Sequence, residues 1–389
     1  MRLSHGRLDL ALLLFLACQS IGWGAERPAE PLPPHRAEPV PMLHVTDLFR
    51  PHNDPDDHWD LACAYSLAHQ GHAELQGILI DYPNPAWHDD PDVLAVAQMN
   101  YLTGRAVPAV VGSPQRLDAH EARLPEHAAD VAGIRAFLDL LRRAPRPVVI
   151  SILGSCRDVA IAAQLEPHLF AKKCAAVYLN AGSGTRDLAK AARLEYNVAL
   201  DPVSYGALFR LPCPVYWMPC FEEVPGPGVD LQVAPYGTFY RFRQDAILPH
   251  LSGRVQNFFA YMYRHGNTLG PQSPPPVAQT NWLQYLVGPP ETELLVRQGR
   301  LDRNMWCTGG FLHAVGLTVT VDGQIVPLAE AKNPLYTFEP IRVECQPSGV
   351  THWTPDTKST DRFIFRVLDP ERYAAAMTTA MRTLLKTLP

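Results

Sequence analysis

Residues 42–60 read MLHVTDLFRPHNDPDDHWD, a short apolar run followed by a segment rich in aspartate. The run Met42–Val45 has the length and composition of a buried strand, and residues 61–68 (LACAYSLA) continue as an apolar, helix-like segment. A strand that ends in acids before a helix places those carboxylates at the carboxyl edge of a sheet, where open α/β folds bind ligands. Because closely spaced carboxylates repel each other, we expect a bound cation or a polyhydroxyl ligand among them.

The composition is that of a soluble globular protein with a small-molecule substrate. The chain has 389 residues, of which 47% are hydrophobic and 19% charged, and its formal net charge is −5. This length suffices for one large core or two domains. Without an overall basic field, a nucleic-acid partner is not expected. A homo-oligomer is left open.

The first 25 residues have the pattern of an export signal. Arg2 and Arg7 precede the apolar run Leu10–Ala17, which is too short to span a membrane. We expect cleavage near Gly24 or Ala25, and therefore a secreted or periplasmic protein without a membrane span.

The mature chain divides into a tether and one folded unit. Residues 26–41 hold six prolines, a composition that stays extended. We place the folded domain at 42–386, with a proline-rich and aromatic segment at 225–300 that we interpret as a helical insertion or cap.

Strand-like and helix-like runs alternate through the first half of the domain. Such alternation predicts an α/β fold with a Rossmann-like, mostly parallel sheet and helices on both faces. The predicted strands are 75–80, 109–112, 148–153 and 175–179, and the predicted helices are 92–102, 128–143 and 159–165.

The second half is predicted from fewer signals. Within the insertion, we interpret the aromatic stretches 236–242 and 258–263 as helical. The runs 317–321 and 325–327 flank Asp322-Gly323, a hairpin signal. A last strand at 362–368 and a helix at 371–385 complete the domain.

Several segments, in the same order, resemble the inosine/uridine-preferring nucleoside hydrolases. Two stretches support the resemblance best: residues 148–160 (VVISILGSCRDVA) and residues 195–202 (EYNVALDP). Thr46-Asp47 and Pro55-Asp56-Asp57 resemble the acidic strand end of that family, with a longer loop between them. The resemblance implies a parallel-sheet fold, calcium as cofactor, and hydrolysis of the N-glycosidic bond of a nucleoside.

The resemblance also implies a metal site. Asp47 would act as metal ligand and as the catalytic base that activates water, with Asp57 as a second ligand. Arg157 would contribute its backbone carbonyl. Asp54 could take the place of Asp47, an alternative that the sequence leaves open.

Four residues are candidates for binding the substrate. By the resemblance, Asp56 would hold ribose hydroxyls and the pair Glu195 and Asn197 would clamp them. Asn84 follows a predicted strand end and is a further candidate ribose contact.

One part of the resemblance is missing. The related hydrolases have a His-Asp pair near the start of a late helix, whereas residues 305–316 read MWCTGGFLHAVG and contain no aspartate. Asp302 and Glu222 are candidates for replacing the absent ligand.

Each candidate also has a purely structural interpretation. Asp54, Asp56, Asp57 and Asp60 could cap a helix, since carboxylates are favourable at helix N-termini. We expect Asp60 to be a helix-surface or pairing residue. Glu195 and Asn197 could lie in a solvated loop.

Aromatic, histidine and cysteine residues have the same two interpretations. His58, Trp59, Trp306 and His313 could shape a base pocket or donate a proton, but such residues more often pack in a core. We expect the aromatic residues of the insertion to form its core. The seven cysteines after Cys18 are scattered, and we expect buried thiols with at most one or two disulfides.

Three functions therefore compete. The leading hypothesis is an exported, calcium-assisted hydrolase of N-glycosidic (ribosyl) bonds. The second is a catalytically altered protein that binds a nucleoside or sugar without cleaving it. The third is a hydrolase of another glycosidic substrate.

Overall fold

The central strand, β1 (Val40–Thr46), is buried along its whole length because it has a hydrophobic layer on each side. Val40 and Met42 pack into one layer, and Leu43 and Val45 pack into the other. This two-sided burial explains why the run is continuously apolar, as strands of parallel sheets are. The strand begins at Val40, slightly before the predicted domain start.

The structure is a computed structural model that describes residues 38–50, 55–83, 90–116, 131–266 and 281–389. The predictions for the export signal, for Asp54 and for Asn84 lie outside the described residues, as does most of the predicted tether.

The described strands and helices follow the predicted alternation closely. The other strands are β2 (Phe49–Arg50), β3 (Ala73–Ile80), β4 (Asp90–Pro91), β5 (Ala109–Val111), β6 (Val148–Ile152), β7 (Cys174–Asn180), β8 (Val215–Met218), β9 (Tyr240–Arg243), β10 (Asp302–Met305), β11 (Leu317–Val319), β12 (Ile325–Pro327), β13 (Tyr336–Cys345), β14 (Thr351–Pro355) and β15 (Arg362–Val367). The α-helices are α1 (Asp56–His69), α2 (Val93–Thr103), α3 (Ala132–Arg143), α4 (Arg157–Leu165), α5 (Pro167–Lys173), α6 (Leu188–Ala191), α7 (Tyr196–Leu200), α8 (Pro202–Leu208), α9 (Gly253–Gly266), α10 (Trp282–Val287), α11 (Thr292–Gly299), α12 (Thr308–Ala314) and α13 (Pro370–Leu385).

The main sheet is mostly parallel. Its order is β14-β13-β15-β8-β7-β6-β1-β3-β5, and the seven strands from β15 to β5 run parallel. Only β13 runs antiparallel, to both β15 and β14. The predicted sheet is thereby confirmed.

Helices cover both faces of the sheet, also as predicted. Helices α1, α2, α9, α12 and α13 contribute to one hydrophobic layer. Helices α3, α4, α5 and α8 contribute to the other. Each helix buries a hydrophobic side against strand residues, which is how a parallel sheet shields both faces from water.

The region 225–300 contains a strand as well as helices. It holds α9, α10 and α11, but the prediction of a helix at 236–242 is wrong, because residues 240–243 form β9 and pair antiparallel with β10. Tyr240 and Phe242 are buried, whereas Arg241 and Arg243 are not. This alternation has the period of a strand, and the aromatic composition obscured it.

The predicted closing elements are confirmed. Strands β11 and β12 pair as the hairpin around Asp322-Gly323, and Gly323 has a φ of 81°. Strand β15 and helix α13 follow where the sequence places them.

Candidate functional site

The site lies where the chain order of the sheet reverses. From β1 the chain proceeds to β3 and β5 on one side, and β6, β7 and β8 then fill the other side of β1. The carboxyl ends of β1 and β6 therefore flank a switch point, the position where open α/β sheets bind ligands. The backbone N–H of Leu153, after β6, donates to the carbonyl of Val45 at 2.9 Å and closes this junction.

Asp47 and Asp57, two of the predicted site residues, meet at this edge. The two carboxyl groups are hydrogen-bonded to each other, and the Thr46 hydroxyl donates to Asp57 Oδ1. Removal from water raises the pKa of Asp47 to about 8, against the opposing effect of the hydrogen bond from Asp57. At neutral pH Asp47 is therefore mostly protonated.

Asp56 lies beside this pair. It is the first residue of α1 and is half-buried, and its negative charge contributes to the raised pKa of Asp47. The N-cap position of α1 is Pro55, with no side-chain cap hydrogen bond. Capping by Asp54 is outside the described residues, but capping does not account for Asp57, whose Oδ1 accepts from Thr46.

Asp81 is a site residue that the sequence reasoning missed. It follows β3 directly, is 2% exposed, and its Oδ2 accepts a hydrogen bond from the backbone N–H of Ser155. Its Oδ1 has no partner among the described residues. Burial raises the pKa of Asp81 well above its usual value, and the charge of Asp158 adds to this effect. The signal was present as an acid at the end of a predicted strand.

Arg157 and Asp158 open α4 next to Asp81. Both are buried; Asp158 Oδ1 accepts from the Ser113 backbone N–H at 2.7 Å, and Arg157 Nη1 donates to the Ser113 carbonyl at 2.6 Å. Burial raises the pKa of Asp158 to about 6, while the Arg157 charge opposes that rise. Arg157 also lowers the pKa of Asp81 against the larger effect of burial. Its guanidinium is thus an internal counter-charge for these two acids.

The position of Asp60 corrects its predicted place on the helix surface. It is 1% exposed, because α1 is enclosed on nearly all sides. Its carboxyl group is hydrogen-bonded to the Cys307 thiol, and burial together with the charge of Asp57 raises its pKa well above the usual value. Its Oδ1 has no partner in the described part of the chain. Cys307 precedes α12, within the stretch where the resemblance places an aspartate. The carboxyl group found beside it is that of Asp60, which comes from α1.

Asp302 and Glu222, the two candidate replacements, lie in other surroundings. Asp302 is exposed at the start of β10, opposite Arg243. Glu222 accepts a hydrogen bond from the backbone N–H of Tyr236 at 3.3 Å.

Glu195 is buried rather than placed in a solvated loop. It is the N-cap of α7, and its two carboxylate oxygens accept from the backbone N–H groups of Asn197 at 2.9 Å and Gly182 at 2.8 Å. Burial raises its pKa, while these bonds lower it. The carboxylate therefore holds the turn after β7 against α7.

Asn197 joins two strand ends. Its Nδ2 donates to the carbonyls of Leu153 at 2.7 Å and Asn180 at 3.3 Å, while its buried Oδ1 has no partner among the residues described. Within the predicted clamp, Asn197 Oδ1 can therefore accept a hydrogen bond from a hydroxyl group of a ligand.

His58, Trp59 and His313 have packing or structural roles. Trp59 is fully buried and stacks on Phe259 at 4.0 Å between ring centroids. His58 Nε2 lies 3.1 Å from Asp92 Oδ2. His313 is hydrogen-bonded to the Tyr178 hydroxyl at 2.7 Å, and burial lowers its pKa to about 4.

Trp306 is half-buried beside Phe239 of the insertion and beside Phe221, which precedes the insertion. Its ring lies 6.0 Å from Phe221 and 5.8 Å from Phe239. The described aromatic residues of the insertion pack largely against α1 and the sheet layer, so they belong to the main core and not to a separate core of the insertion.

Calcium takes six to eight oxygen ligands in proteins. Over the described ranges, no three His, Cys, Asp or Glu side chains come together as a metal site. Asp47 and Asp57 engage each other, and Asp81 engages Ser155. Arg157 is the first residue of α4, where carbonyls accept hydrogen bonds from the helix itself.

Comparison with solved structures identifies the fold. The structure is similar to a purine-preferring ribonucleoside hydrolase from Gardnerella vaginalis, with a TM-score of 0.51 and 15% identity over 89% of this chain and 99% of that one. It is also similar to the effector protein XOO4466, with a TM-score of 0.50 and 15% identity over 91% of this chain and 95% of that one. An inosine-guanosine nucleoside hydrolase gives a TM-score of 0.49 at 13% identity over 90% and 100% of the two chains.

The protein has a divergent nucleoside hydrolase-like α/β fold. The fold that the sequence resemblance implies is therefore confirmed. No protein-family profile matches the chain, and no curated protein does. None of the described helices is long and apolar enough to cross a membrane.

The buried acids predict a pH dependence of stability. A carboxyl group whose pKa is higher in the folded than in the unfolded state binds more protons when folded, so it lowers the free energy of unfolding as pH rises between the two pKa values. For Asp158 this window runs from the ordinary aspartate pKa of 3.8 to the folded-state pKa of about 6. Asp158→Asn keeps an acceptor for the Ser113 N–H, and we expect it to flatten the decline by about 1 kcal/mol per pH unit in that window.

Urea unfolding of the wild type and the variant at pH 4 to 7 measures this slope. Asp139→Asn, at an exposed position of α3, is the matched control and should leave the slope unchanged. Equal slopes for Asp158→Asn and the wild type would show that Asp158 is ionised in the folded protein.

Proposed function

We propose that the protein hydrolyses the N-glycosidic bond of a nucleoside or a related ribosyl compound. The observation that supports this proposal best is the group of buried acids at the switch point of a nucleoside hydrolase-like fold. Such a set of carboxyl groups is costly to bury, and two of its oxygens have no partner among the described residues. A polyhydroxyl sugar would supply the missing hydrogen-bond donors.

The Asp47–Asp57 pair has the chemistry of a general base. N-glycoside cleavage passes through an oxocarbenium-like state, which is favoured by a nearby carboxylate and by a water that loses its proton as it attacks. A base works best when its pKa is close to the working pH, and the pKa of Asp47 is about 8. We propose that ionised Asp47 accepts the proton of the attacking water, with Asp57 holding it in place.

Asp56 and Asn197 are proposed to bind the sugar. Asp56 is half-buried beside Asp47 and can accept from ribose hydroxyls. Asn197 Nδ2 is fixed by Leu153 and Asn180, which orients its Oδ1 as an acceptor. Glu195 supports Asn197 by accepting its backbone N–H.

A second function, binding of a nucleoside or sugar without cleavage, is favoured by one observation. Because the pKa of Asp47 is about 8, most of this carboxyl group is protonated at neutral pH and cannot accept a proton. The two functions differ in whether the nucleobase is released from the sugar, so one assay for free nucleobase separates them.

We expect the wild type to release free base and ribose from some members of a nucleoside panel. Replacing Asp47 with Asn should lower kcat/KM by about 10²- to 10⁴-fold, the usual contribution of a general base. Release is measured by chromatography of the products, with Asp139→Asn as the exposed-surface control.

Hydrolysis would be contradicted if the protein bound nucleosides or ribose in calorimetry but left every member of the panel intact. Cleavage that survives Asp47→Asn at the wild-type rate would instead remove Asp47 from the catalytic role.

Calcium, which the sequence resemblance implies, has a separate test. Because the described carboxyl groups do not converge as a metal site, we expect calcium chloride and a chelator to leave the melting temperature unchanged within about 1 °C. Differential scanning fluorimetry measures the response. A calcium-dependent rise that disappears in Asp57→Asn would establish the metal site that the resemblance implies, with Asp57 as a ligand.

We further propose that the protein is exported. The support is the arrangement of Arg2, Arg7 and the apolar run Leu10–Ala17, which is typical of a cleaved signal. Mass spectrometry of the protein from its own cell should give an N-terminus shortly after Gly24 or Ala25. A mature chain that retains Met1 or Arg2 would contradict export by this route.

A further inference from the structure

Two thiols lie in contact at the amino ends of the strands, the edge of the sheet opposite the one that bears the acids. Cys174 is the first residue of β7, and Cys213 precedes β8, the neighbouring strand. Their sulfur atoms are 3.3 Å apart, and both side chains are buried. Each of the two residues thus stands where one of two paired strands begins.

The backbone geometry at this point suits a covalent bond. Strands β7 and β8 are parallel neighbours, with Val177 opposite Val215 and the Val177 N–H donating to the Pro214 carbonyl at 2.9 Å. Neighbouring strands lie about 4.8 Å apart. Because Val177 lies opposite Val215, Cys213 is one residue out of register with Cys174 on the neighbouring strand. The two sulfurs, 3.3 Å apart, have to approach to the roughly 2.05 Å of a disulfide bond.

The surroundings of Cys213 favour a thiolate. The Arg362 guanidinium donates to the carbonyls of Cys213 at 3.0 Å and Leu211 at 2.7 Å. The hydrogen bond from Cys174 lowers the pKa of Cys213, and the Arg362 charge adds to this, while burial opposes both. The same hydrogen bond raises the pKa of Cys174. The two thiols therefore have distinct roles, because the thiolate is the nucleophile in disulfide exchange.

We propose that Cys174 and Cys213 are a disulfide-forming pair that a small-molecule disulfide, such as oxidised glutathione, converts into an intramolecular bond joining β7 to β8. This inference is independent of the proposed hydrolase activity, since neither cysteine belongs to the candidate site.

The reaction takes place in two exchange steps. The Cys213 thiolate attacks one sulfur of the oxidant, which forms a mixed disulfide and expels a thiolate. Cys174 then loses its proton to solvent and attacks the Cys213 sulfur, which expels the second thiolate. The two protein thiols give up two electrons in total, and the oxidant is reduced to two thiols.

The bond would fasten a strand pair that also supports the site. At the carboxyl ends of the same two strands, Asn180 Nδ2 donates to the Met218 carbonyl at 2.8 Å, and the Asn180 carbonyl accepts from Asn197. A disulfide at the amino ends would reduce the freedom of the unfolded chain between residues 174 and 213, and so stabilise the fold.

Another cysteine pair provides an internal comparison. Cys220 and Cys307 both direct their thiols at Asn180 Oδ1, at 3.6 and 3.2 Å. Burial raises the pKa of each well above its usual value, and the nearby acids raise it further. The charges that act most strongly on these two thiols are negative and disfavour a thiolate, so we expect this pair to stay reduced.

The test uses the full-length protein, purified with a reductant and then incubated with oxidised or reduced glutathione. Denaturation in a thiol-alkylating agent, followed by peptide mass spectrometry, shows which cysteines are bonded. We expect a single cross-link between the peptides of Cys174 and Cys213 after oxidation. We also expect the melting temperature of the oxidised protein to exceed that of the reduced protein by about 5 °C.

Two variants make the result specific. Cys213→Ser should abolish the cross-link and the difference in melting temperature, whereas Cys345→Ser, at the half-buried end of β13, should retain both. Because the comparison of oxidised and reduced wild type requires no substitution, it stays valid if Cys213→Ser folds poorly. Full alkylation of Cys174 and Cys213 after oxidation, or a cross-link between Cys220 and Cys307 instead, would overturn the proposal.

Discussion

The burial of carboxyl groups at the junction of β1 and β6 is the constraint on which the rest of the site depends. Asp57, Asp60, Asp81 and Asp158 are all nearly inaccessible to water. An isolated charge in such a place is unfavourable by many kcal/mol, so each group must be neutralised or receive hydrogen bonds. The local backbone is arranged to meet this need.

Two kinds of compensation are visible. Backbone N–H groups at the strand-end turns serve Asp81 and Asp158, and Arg157 supplies a positive charge to both. Asp47 and Asp57 instead compensate each other through a hydrogen bond. The first device holds Asp81 and Asp158 in a rigid frame, whereas the second leaves a proton on Asp47 that can be exchanged. The chemical capacity of the site therefore resides in the pair at the end of β1.

The sequence predicted the sheet well because its signals are local. Continuous apolar runs such as 148–153 occur where a strand is covered on both faces, and helix-like runs separate them. The alternation failed as a guide at 236–242, where aromatic residues suited both a helix and a strand. Only pairing with β10, a contact distant in sequence, determines the outcome.

The site was predictable only in part, for a related reason. Asp47, Asp56 and Asp57 were found because they are close in sequence and resemble a known family. Asp81 and Asp60 were not assigned to the site, since a single acid after a strand or within a helix looks ordinary until the neighbouring elements are placed around it. Glu195, in contrast, was assigned to the site from the resemblance, and the structure gives it the role of a helix cap. That role can be recognised only when the N–H groups that it meets are known.

The pairing of β9 with β10 has a consequence for how the fold can vary. Arg243 and Asp302 face each other across this short ribbon, so the segment between them begins and ends at nearly the same point. The length of that segment can therefore differ without displacing the strands that bear the acids. This freedom does not extend to α9, because Phe258 and Phe259 complete the hydrophobic layer in which Trp59 of α1 lies.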